Sequence, residues 1–298
     1  MNKYPIDKEL KKRKNIIPPV NPFILPFANF LLKNIKKPFD KKKVDIRYLK
    51  VGNVKIHLIT PLNIKDQPSP LLFYIHGGGF IFHPSPGHFK GEQAFALSSN
   101  IRVVGIEYSL SPKHKYPVAL HQCVEAYKYL VKYHKELNID VNKIAIGGDS
   151  SGGLLAIETY LEVKKEDIKA PIGLMLIYPV IDNKMNTLSM ERYNDTPCWN
   201  NRLNKKMWDY YLGNNQNYIS IMDRTIEFDI DNIYIELTEY DCLHDEGYNF
   251  YLALKDKVKN MVLYDTKGTF HGYDVNFKAK ICIETFLAKV DYLNNLFK

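Results

Sequence analysis

The chain has 298 residues, a formal net charge of +8 and 45% hydrophobic residues, an ordinary composition for a globular protein with a large buried core. The excess charge comes largely from lysine, with runs only at 8–14 and 33–43. Neither run interleaves with a recognition motif. We therefore expect the charge to be spread over a solvated surface, and we expect no nucleic-acid partner.

The termini and cysteines point to a cytoplasmic protein. The N-terminus stays polar to Lys14, unlike a signal peptide. The apolar stretch 20–32 is too short to span a bilayer and is broken by Pro22 and Pro26, so no stable membrane insertion is expected. The cysteines lack metal-site spacing and are interpreted as free thiols in a reducing compartment. They are Cys123, Cys198, Cys242 and Cys282.

From about residue 44, strand-like and helix-like segments alternate. A hairpin is predicted between 44–50 and 54–60, joined at Gly52-Asn53. Further strands are predicted at 71–75, 101–107, 144–146, 172–178, 233–238 and 261–264, and helices at 118–135, 151–164, 245–258 and 279–297. This alternation predicts an α/β fold with a mostly parallel central sheet of about eight strands, covered by helices on both faces.

Two segments interrupt the alternation, namely 1–43 and about 182–222. The second follows a strand, where loops build sites in open α/β sheets. We therefore predict an N-terminal cap segment at 1–43 and a catalytic domain at 44–298 that contains a helical cap insertion. The large apolar side chains of both segments are expected to form cap core and pocket wall, rather than a lipid contact at 20–32. They are Phe23, Phe27, Phe30, Leu31, Trp199, Met207, Trp208, Tyr210 and Tyr211.

Ser150 lies in the string Gly148-Asp149-Ser150-Ser151-Gly152-Gly153, between a buried strand and a helix-like stretch. This order is typical of a nucleophile elbow, in which flanking glycines allow a turn too tight for a β-carbon. A frame centred on Ser151 would need glycine where Asp149 stands. Ser150 is therefore the candidate nucleophile.

A serine nucleophile needs a base, and the base needs an orienting carboxylate, which follow the serine in that fold as carboxylate and then histidine. After the strand at 261–264 comes His271, the candidate base. After the strand at 233–238 come four acidic residues, and chemistry alone does not decide which of them orients the base. They are Glu239, Asp241, Asp245 and Glu246.

A third element follows the strand at 71–75, namely His76-Gly77-Gly78-Gly79-Phe80. Three successive glycines let the backbone fold close to a reacting centre and turn N–H groups toward it. Such fixed donors stabilise an oxyanion, and losing one typically costs about 3–4 kcal/mol of transition-state stabilisation.

Together these motifs resemble the hormone-sensitive-lipase family of α/β-hydrolases, which includes microbial carboxylesterases and arylacetamide-deacetylase-like enzymes. The resemblance runs from about residue 70 to the C-terminus and includes Tyr108-Ser109-Leu110-Ser111-Pro112. It implies the α/β-hydrolase fold and selects Asp241, the first aspartate of Asp241-Cys242-Leu243-His244-Asp245-Glu246, although Cys242 replaces the family's proline.

The resemblance also implies that the oxyanion donors are the backbone N–H groups of Gly78, Gly79 and Ser151. It implies no metal and no organic cofactor, and it allows a homodimer. We therefore expect a serine carboxylesterase that hydrolyses short- to medium-chain acyl esters of small molecules through Ser150, His271 and Asp241 and an acyl-enzyme. The alternatives are an amide hydrolase, deacetylase or peptidase with the same triad, and a non-catalytic small-molecule receptor on this fold.

Overall fold

A single mixed sheet of eight strands runs through the computed structural model, which describes residues 3–11, 17–166, 168–275 and 277–298. Its strands are β1 (Val44–Val51), β2 (Val54–Pro61), β3 (Ser69–Ile75), β4 (Arg102–Glu107), β5 (Ile139–Asp149), β6 (Gly173–Ile177), β7 (Asn232–Tyr240) and β8 (Asn260–Phe270). They are hydrogen-bonded in the order β1-β2-β4-β3-β5-β6-β7-β8. The pairs β1–β2 and β2–β4 are antiparallel and the others are parallel. The predicted fold class is confirmed.

The hairpin predicted at Gly52-Asn53 joins β1 to β2, in the register Val51 opposite Val54. Gly52 has a φ of 55°, a conformation that glycine adopts without the penalty that a β-carbon brings. The parallel strands β3 and β6 are largely apolar, and β5 is buried from Ile144 to its end, because helices cover both faces of the sheet.

Eight α-helices lie in the described ranges. They are α1 (Leu25–Asn34), α2 (Pro86–Ser99), α3 (Val118–Lys132), α4 (Ser151–Lys164), α5 (Leu188–Arg192), α6 (Asn201–Leu212), α7 (His244–Leu254) and α8 (Lys280–Leu296). None of these helices is long and apolar enough to cross a membrane. The predicted helices correspond to α3, α4, α7 and α8.

Helix α2 was not predicted from the sequence. Its apolar residues do not recur on one face with the helical period, so periodicity gave no signal. The helix is instead fixed at its start. Ser85 and His88 form a reciprocal capping box around Pro86, whose fixed φ suits the first helical turn.

The insertion between β6 and β7 contains α5, α6 and a short 3-10 helix at Ile221–Glu227. The N-terminal segment contributes α1. The division of the chain into an N-terminal cap segment and a catalytic domain with a cap insertion stays a prediction. Cys123 and Cys242 are buried free thiols.

Candidate active site

Ser150 stands at the sharp turn from β5 into α4, with a φ of 55° and a ψ of −121°. This left-handed backbone is strained for a residue with a side chain, and such strain is common where a turn positions a reactive group. The flanking glycines make the turn possible. A Cβ on Gly148 would come within 2.6 Å of the Ile75 oxygen, and one on Gly152 within 2.7 Å of the His76 carbonyl carbon.

Three side chains from three different loops meet at this turn. The Nε2 atom of His271 lies 2.8 Å from Oγ of Ser150, and its Nδ1 atom lies 2.6 Å from Oδ2 of Asp241. With the proton on Nδ1, the imidazole donates to the carboxylate and accepts from the Ser150 hydroxyl. All three residues are buried. The arrangement has the serine-to-base and base-to-carboxylate contacts that activation of a hydroxyl requires.

Asp241 is held as an anion by its surroundings. Its Oδ2 atom accepts a hydrogen bond from the Thr238 hydroxyl at 2.7 Å, and Oδ1 accepts one from the Leu243 N–H at 3.0 Å. Burial alone would raise the pKa of Asp241, but the charge and hydrogen bond of His271 and these two donors bring the pKa below its usual value. An ionised carboxylate keeps the imidazole in the required tautomer.

The other acidic candidates of this loop are engaged elsewhere. Glu239 accepts from the Gly268 N–H at 2.7 Å, and Asp245 accepts from the Ser189 N–H at 2.8 Å. Glu246 accepts from the Ile181 N–H at 2.8 Å. Asp241 is the member of this acidic set that contacts His271.

The glycine loop after β3 lies beside Ser150. Gly78 and Gly79 have φ values of 113° and 61°, which turn the backbone in a way that residues with a β-carbon rarely adopt. In the described part of the chain, the N–H groups of Gly78 and Gly79 have no hydrogen-bond acceptor. The Ser151 N–H belongs to the first turn of α4, where helical N–H groups lack an intrahelical acceptor. That the N–H groups of Gly78, Gly79 and Ser151 act together on one oxyanion stays a prediction.

The side chain of Ser151 has a second role that the motif did not reveal. Its Oγ atom accepts a hydrogen bond from the Phe80 N–H at 3.2 Å. This bond ties the start of α4 to the glycine loop. The hydroxyl at this position therefore links the two backbone segments that carry the candidate donors.

Asp149, the residue before the candidate nucleophile, stabilises the glycine loop through its carboxylate. Its carboxylate accepts from the Tyr74 hydroxyl at 2.9 Å and from the Gly77 N–H at 3.0 Å, and it lies 3.3 Å from Nε2 of His88. Burial opposes ionisation of this carboxyl, but the nearby His88 charge and the hydrogen bonds lower its pKa to about 2. Sequence reasoning missed this role. The acidic residue inside the glycine-flanked motif was the available signal.

His76 packs at the start of the same loop without facing the candidate nucleophile. Its ring stacks on Tyr108, with centroids 4.3 Å apart, and its Nδ1 atom lies 2.6 Å from the Gly77 oxygen. Burial lowers the pKa of His76 to about 3, so the neutral ring donates from Nδ1 to that oxygen. These contacts hold the start of the glycine loop in place.

The insertion between β6 and β7 covers the site with aromatic side chains. The indole of Trp199 lies 6.1 Å from the His271 ring, and Tyr211 stacks on Phe80 with centroids 3.7 Å apart. Met207 is buried beside the same loop. These side chains lie against the glycine loop and His271, and the role of the segment as a cap stays a prediction.

The expectation that the N-terminal aromatics line the pocket is wrong. Phe23, Phe27, Phe30 and Leu31 are largely exposed to solvent. The physical reason is that α1 turns its other face to the protein. Asn29 bridges the chain after the glycine loop, donating to the Ile81 oxygen at 2.7 Å and accepting from the His83 N–H at 2.9 Å.

Comparison with known proteins identifies the family and several relatives of this chain. A family described as having the alpha/beta hydrolase fold, Abhydrolase_3, matches residues 72–275. A protein of Acanthamoeba polyphaga mimivirus named as an alpha/beta hydrolase is 28% identical over 242 residues, covering 78% of this chain and 69% of its own length. An acetyl esterase of Salmonella schwarzengrund is 26% identical over 231 residues, covering 74% of this chain and 70% of its own length.

Solved structures show the same architecture. A bacterial heroin esterase superposes with a TM-score of 0.85 at 28% identity, with 98% of each chain covered. Esterase LipW from Mycobacterium marinum has a TM-score of 0.88 at 20% identity, with 98% of this chain and 96% of its own covered, and shows the fold alone. The chain therefore belongs to the Abhydrolase_3 family, the hormone-sensitive-lipase-like α/β-hydrolases, and is a carboxylic ester hydrolase.

Proposed function

We propose that this protein is a serine carboxylesterase that hydrolyses short- to medium-chain acyl esters of small molecules, with Ser150 as nucleophile. The observation that carries the proposal is the chain of contacts from Ser150 through His271 to Asp241, at 2.8 Å and 2.6 Å. The same contacts favour an enzyme over a receptor on this fold, because a binding protein has no use for an aligned base.

In the first step, Oγ of Ser150 attacks the ester carbonyl carbon while Nε2 of His271 removes the hydroxyl proton. Asp241 orients the imidazole and stabilises the positive charge that it gains. The carbonyl oxygen becomes an oxyanion, and the N–H groups of Gly78, Gly79 and Ser151 are placed to donate to it.

In the second half of the reaction, His271 gives its proton to the leaving alcohol and the C–O bond breaks, leaving an acyl group on Ser150. A water molecule then attacks the acyl carbon while His271 accepts its proton. The bond between the acyl carbon and Oγ of Ser150 then breaks, His271 returns its proton to that oxygen, and the acid is released. Every proton in this cycle passes through one imidazole.

Two observations support small acyl groups. Trp199 and Met207 crowd the glycine loop, where a Cβ on Gly79 would lie 2.8 Å and 3.4 Å from their side chains. One relative is named as an acetyl esterase. We therefore place the acyl preference toward the short end of the proposed range. A cytoplasmic location and a homodimer stay predictions.

The test is hydrolysis of p-nitrophenyl esters of increasing acyl length by the full chain, with Ser150→Ala as the control. We expect the highest kcat/KM for short acyl groups and a loss of at least about 10³-fold in Ser150→Ala. A matched anilide should be hydrolysed much more slowly than its ester. Full turnover by Ser150→Ala would refute the proposed nucleophile, and faster anilide cleavage would identify an amide hydrolase instead.

A further inference from the structure

The outward side of α1 has an unusual composition. A surface helix normally buries its apolar stripe and presents polar residues to water. Here Leu25 is buried, while Phe23, Phe27, Phe30 and Leu31 are 90%, 64%, 63% and 53% exposed. Phe27, Phe30 and Leu31 lie at positions i, i+3 and i+4 of α1 and share one of its faces, and Phe23 lies in the turn just before the helix. We call these four side chains the α1 outer face.

Other exposed apolar side chains occur singly. Leu188 on α5 is 77% exposed and Ile226 is 84% exposed, and such isolated residues are normal on protein surfaces. The α1 outer face is different because it is contiguous and is extended by the exposed Ile24 and Ile35. A contiguous exposed apolar patch marks an interaction surface.

The charged residues within the segment 17–39, which carries this face, are all lysines. Residues 17–39 contain no aspartate or glutamate. Within the ranges that the structure describes, Lys33, Lys36, Lys41 and Lys42 form no ion pair, whereas Lys37 pairs with Glu107. Lys33, in the last turn of α1, and Lys36, just after the helix, are therefore available to an anionic surface.

This charge also argues against a second copy of the chain as the occupant. A two-fold interface places each patch against itself, so the lysines of the two copies would face one another. An anionic lipid surface complements both features, because aromatic side chains enter the boundary between headgroups and acyl chains while lysines lie at the phosphates.

We propose that the α1 outer face docks the protein on anionic lipid surfaces. The helix has ten residues, so it lies in the plane of the interface instead of crossing the bilayer. Phe23, Phe27 and Phe30 enter the interface, and Lys33 and Lys36 contact lipid phosphates.

The contacts of Asn29 link this docking to the candidate active site. Because Asn29 bonds Ile81 and His83 directly after the glycine loop, a docked α1 holds that loop close to the lipid. Esters dissolved in the lipid then have a short path to Ser150. This consequence rests on the proposed function, whereas the docking itself does not.

The test is flotation of the full chain with vesicles of phosphatidylcholine, with and without phosphatidylglycerol. We expect binding to the anionic vesicles that weakens as salt is raised. Replacing Phe23, Phe27 and Phe30 by serine should reduce the partition coefficient by at least about 100-fold, since each buried aromatic contributes about ten-fold or more. Lys33→Gln with Lys36→Gln should reduce it by about ten-fold or more.

The matched control replaces Leu188 and Ile226 by serine, which removes the same kind of exposed side chain elsewhere and should leave vesicle binding unchanged. Urea unfolding checks that the Phe variant folds. The proposal is overturned by absence of binding to anionic vesicles, or by equal binding of the Phe variant. It is also overturned by a dimer in sedimentation that the Phe variant dissociates.

Failure of the proposed function gives a different pattern. Ser150→Ala should bind vesicles like the unaltered chain, whatever its turnover. A loss of vesicle binding in Ser150→Ala would also count against the α1 outer face as the docking surface.

Discussion

Trp199 lies across Gly79, so close that a Cβ on that glycine would come within 2.8 Å of the indole Cη2 atom. The ring is held there because its Nε1–H donates to Oδ1 of Asn204 at 3.1 Å. It also lies 6.1 Å from the ring of His271. The cap therefore reaches the candidate site through a fixed aromatic side chain that stands next to a proposed oxyanion donor.

Replacing this side chain should widen the acyl range. In Trp199→Ala, we expect the kcat/KM for a p-nitrophenyl octanoate to rise about ten-fold or more relative to that for the acetate, because each methylene accommodated in an apolar pocket contributes about 1–3 kcal/mol. The measurement is kcat/KM across the acyl series. Leu188→Ala, an exposed change on the same insertion, is the control and should keep the original profile. An unchanged profile in Trp199→Ala would show that Trp199 does not limit the acyl group.

Removing the charge of Asp241 should impair catalysis while the shape of the site is kept. In Asp241→Asn, the amide no longer enforces the required tautomer of His271, so we expect kcat to fall by roughly 10³–10⁴-fold. Asp245→Asn, a change four residues away in the first turn of α7, should have a far smaller effect on kcat. If the two variants lost kcat equally, the carboxylate assignment would be wrong.

Glu158 on α4 should make stability depend on pH. Burial raises the pKa of this carboxyl to about 8, against the opposing charge of Arg224 and the hydroxyls of Tyr218 and Tyr211. The native state therefore keeps a proton that the unfolded chain releases above about pH 4.3. The free energy of unfolding contributed by this group falls as pH rises from about 4 to about 8.

In Glu158→Gln, this loss of unfolding free energy with rising pH is absent. Urea unfolding should show Glu158→Gln gaining stability relative to the unaltered chain as pH is raised from about 5 to about 8. A stability difference between the two proteins that did not change with pH would contradict the raised pKa.

The buried pair of Lys289 and Glu236 should be sensitive to the loss of one partner. The Nζ atom of Lys289 lies 2.6 Å from Oε2 of Glu236, and both residues are buried, with the Tyr234 and Tyr273 hydroxyls donating to the same carboxylate. Lys289→Met leaves that carboxylate without its cation and should cost about 3–5 kcal/mol of unfolding free energy.

The double variant Lys289→Met with Glu236→Gln removes both charges and should recover part of this loss in a urea titration. A cost below about 1 kcal/mol for Lys289→Met alone would mean that the pair contributes no more than an exposed ion pair does.

The glycines were the main basis for predicting the candidate site from the sequence. Gly148 and Gly152 stand where a Cβ would strike backbone atoms, and Gly78 and Gly79 have positive φ values, so their residue type is dictated by local geometry. The alternation of apolar runs and helical periods likewise predicted the sheet, because both are local properties of the chain.

Apart from α2, the features that were missed depend on tertiary contacts. The pattern of α1 shows a helix with large apolar residues, but only the packing reveals that Leu25 faces inward and Phe27 outward. Asp149 contacts Tyr74 and His88, which come from distant parts of the chain. No local pattern specifies such pairs.

The central claim is that Ser150 forms the acyl-enzyme, and covalent labelling tests it most directly. A fluorophosphonate probe should give one adduct by intact-protein mass spectrometry, located by peptide mapping on Ser150. The adduct should be absent in Ser150→Ala and should form much more slowly in His271→Ala, because the base is needed to activate the hydroxyl. An adduct on another residue, or full labelling of Ser150→Ala, would contradict the account.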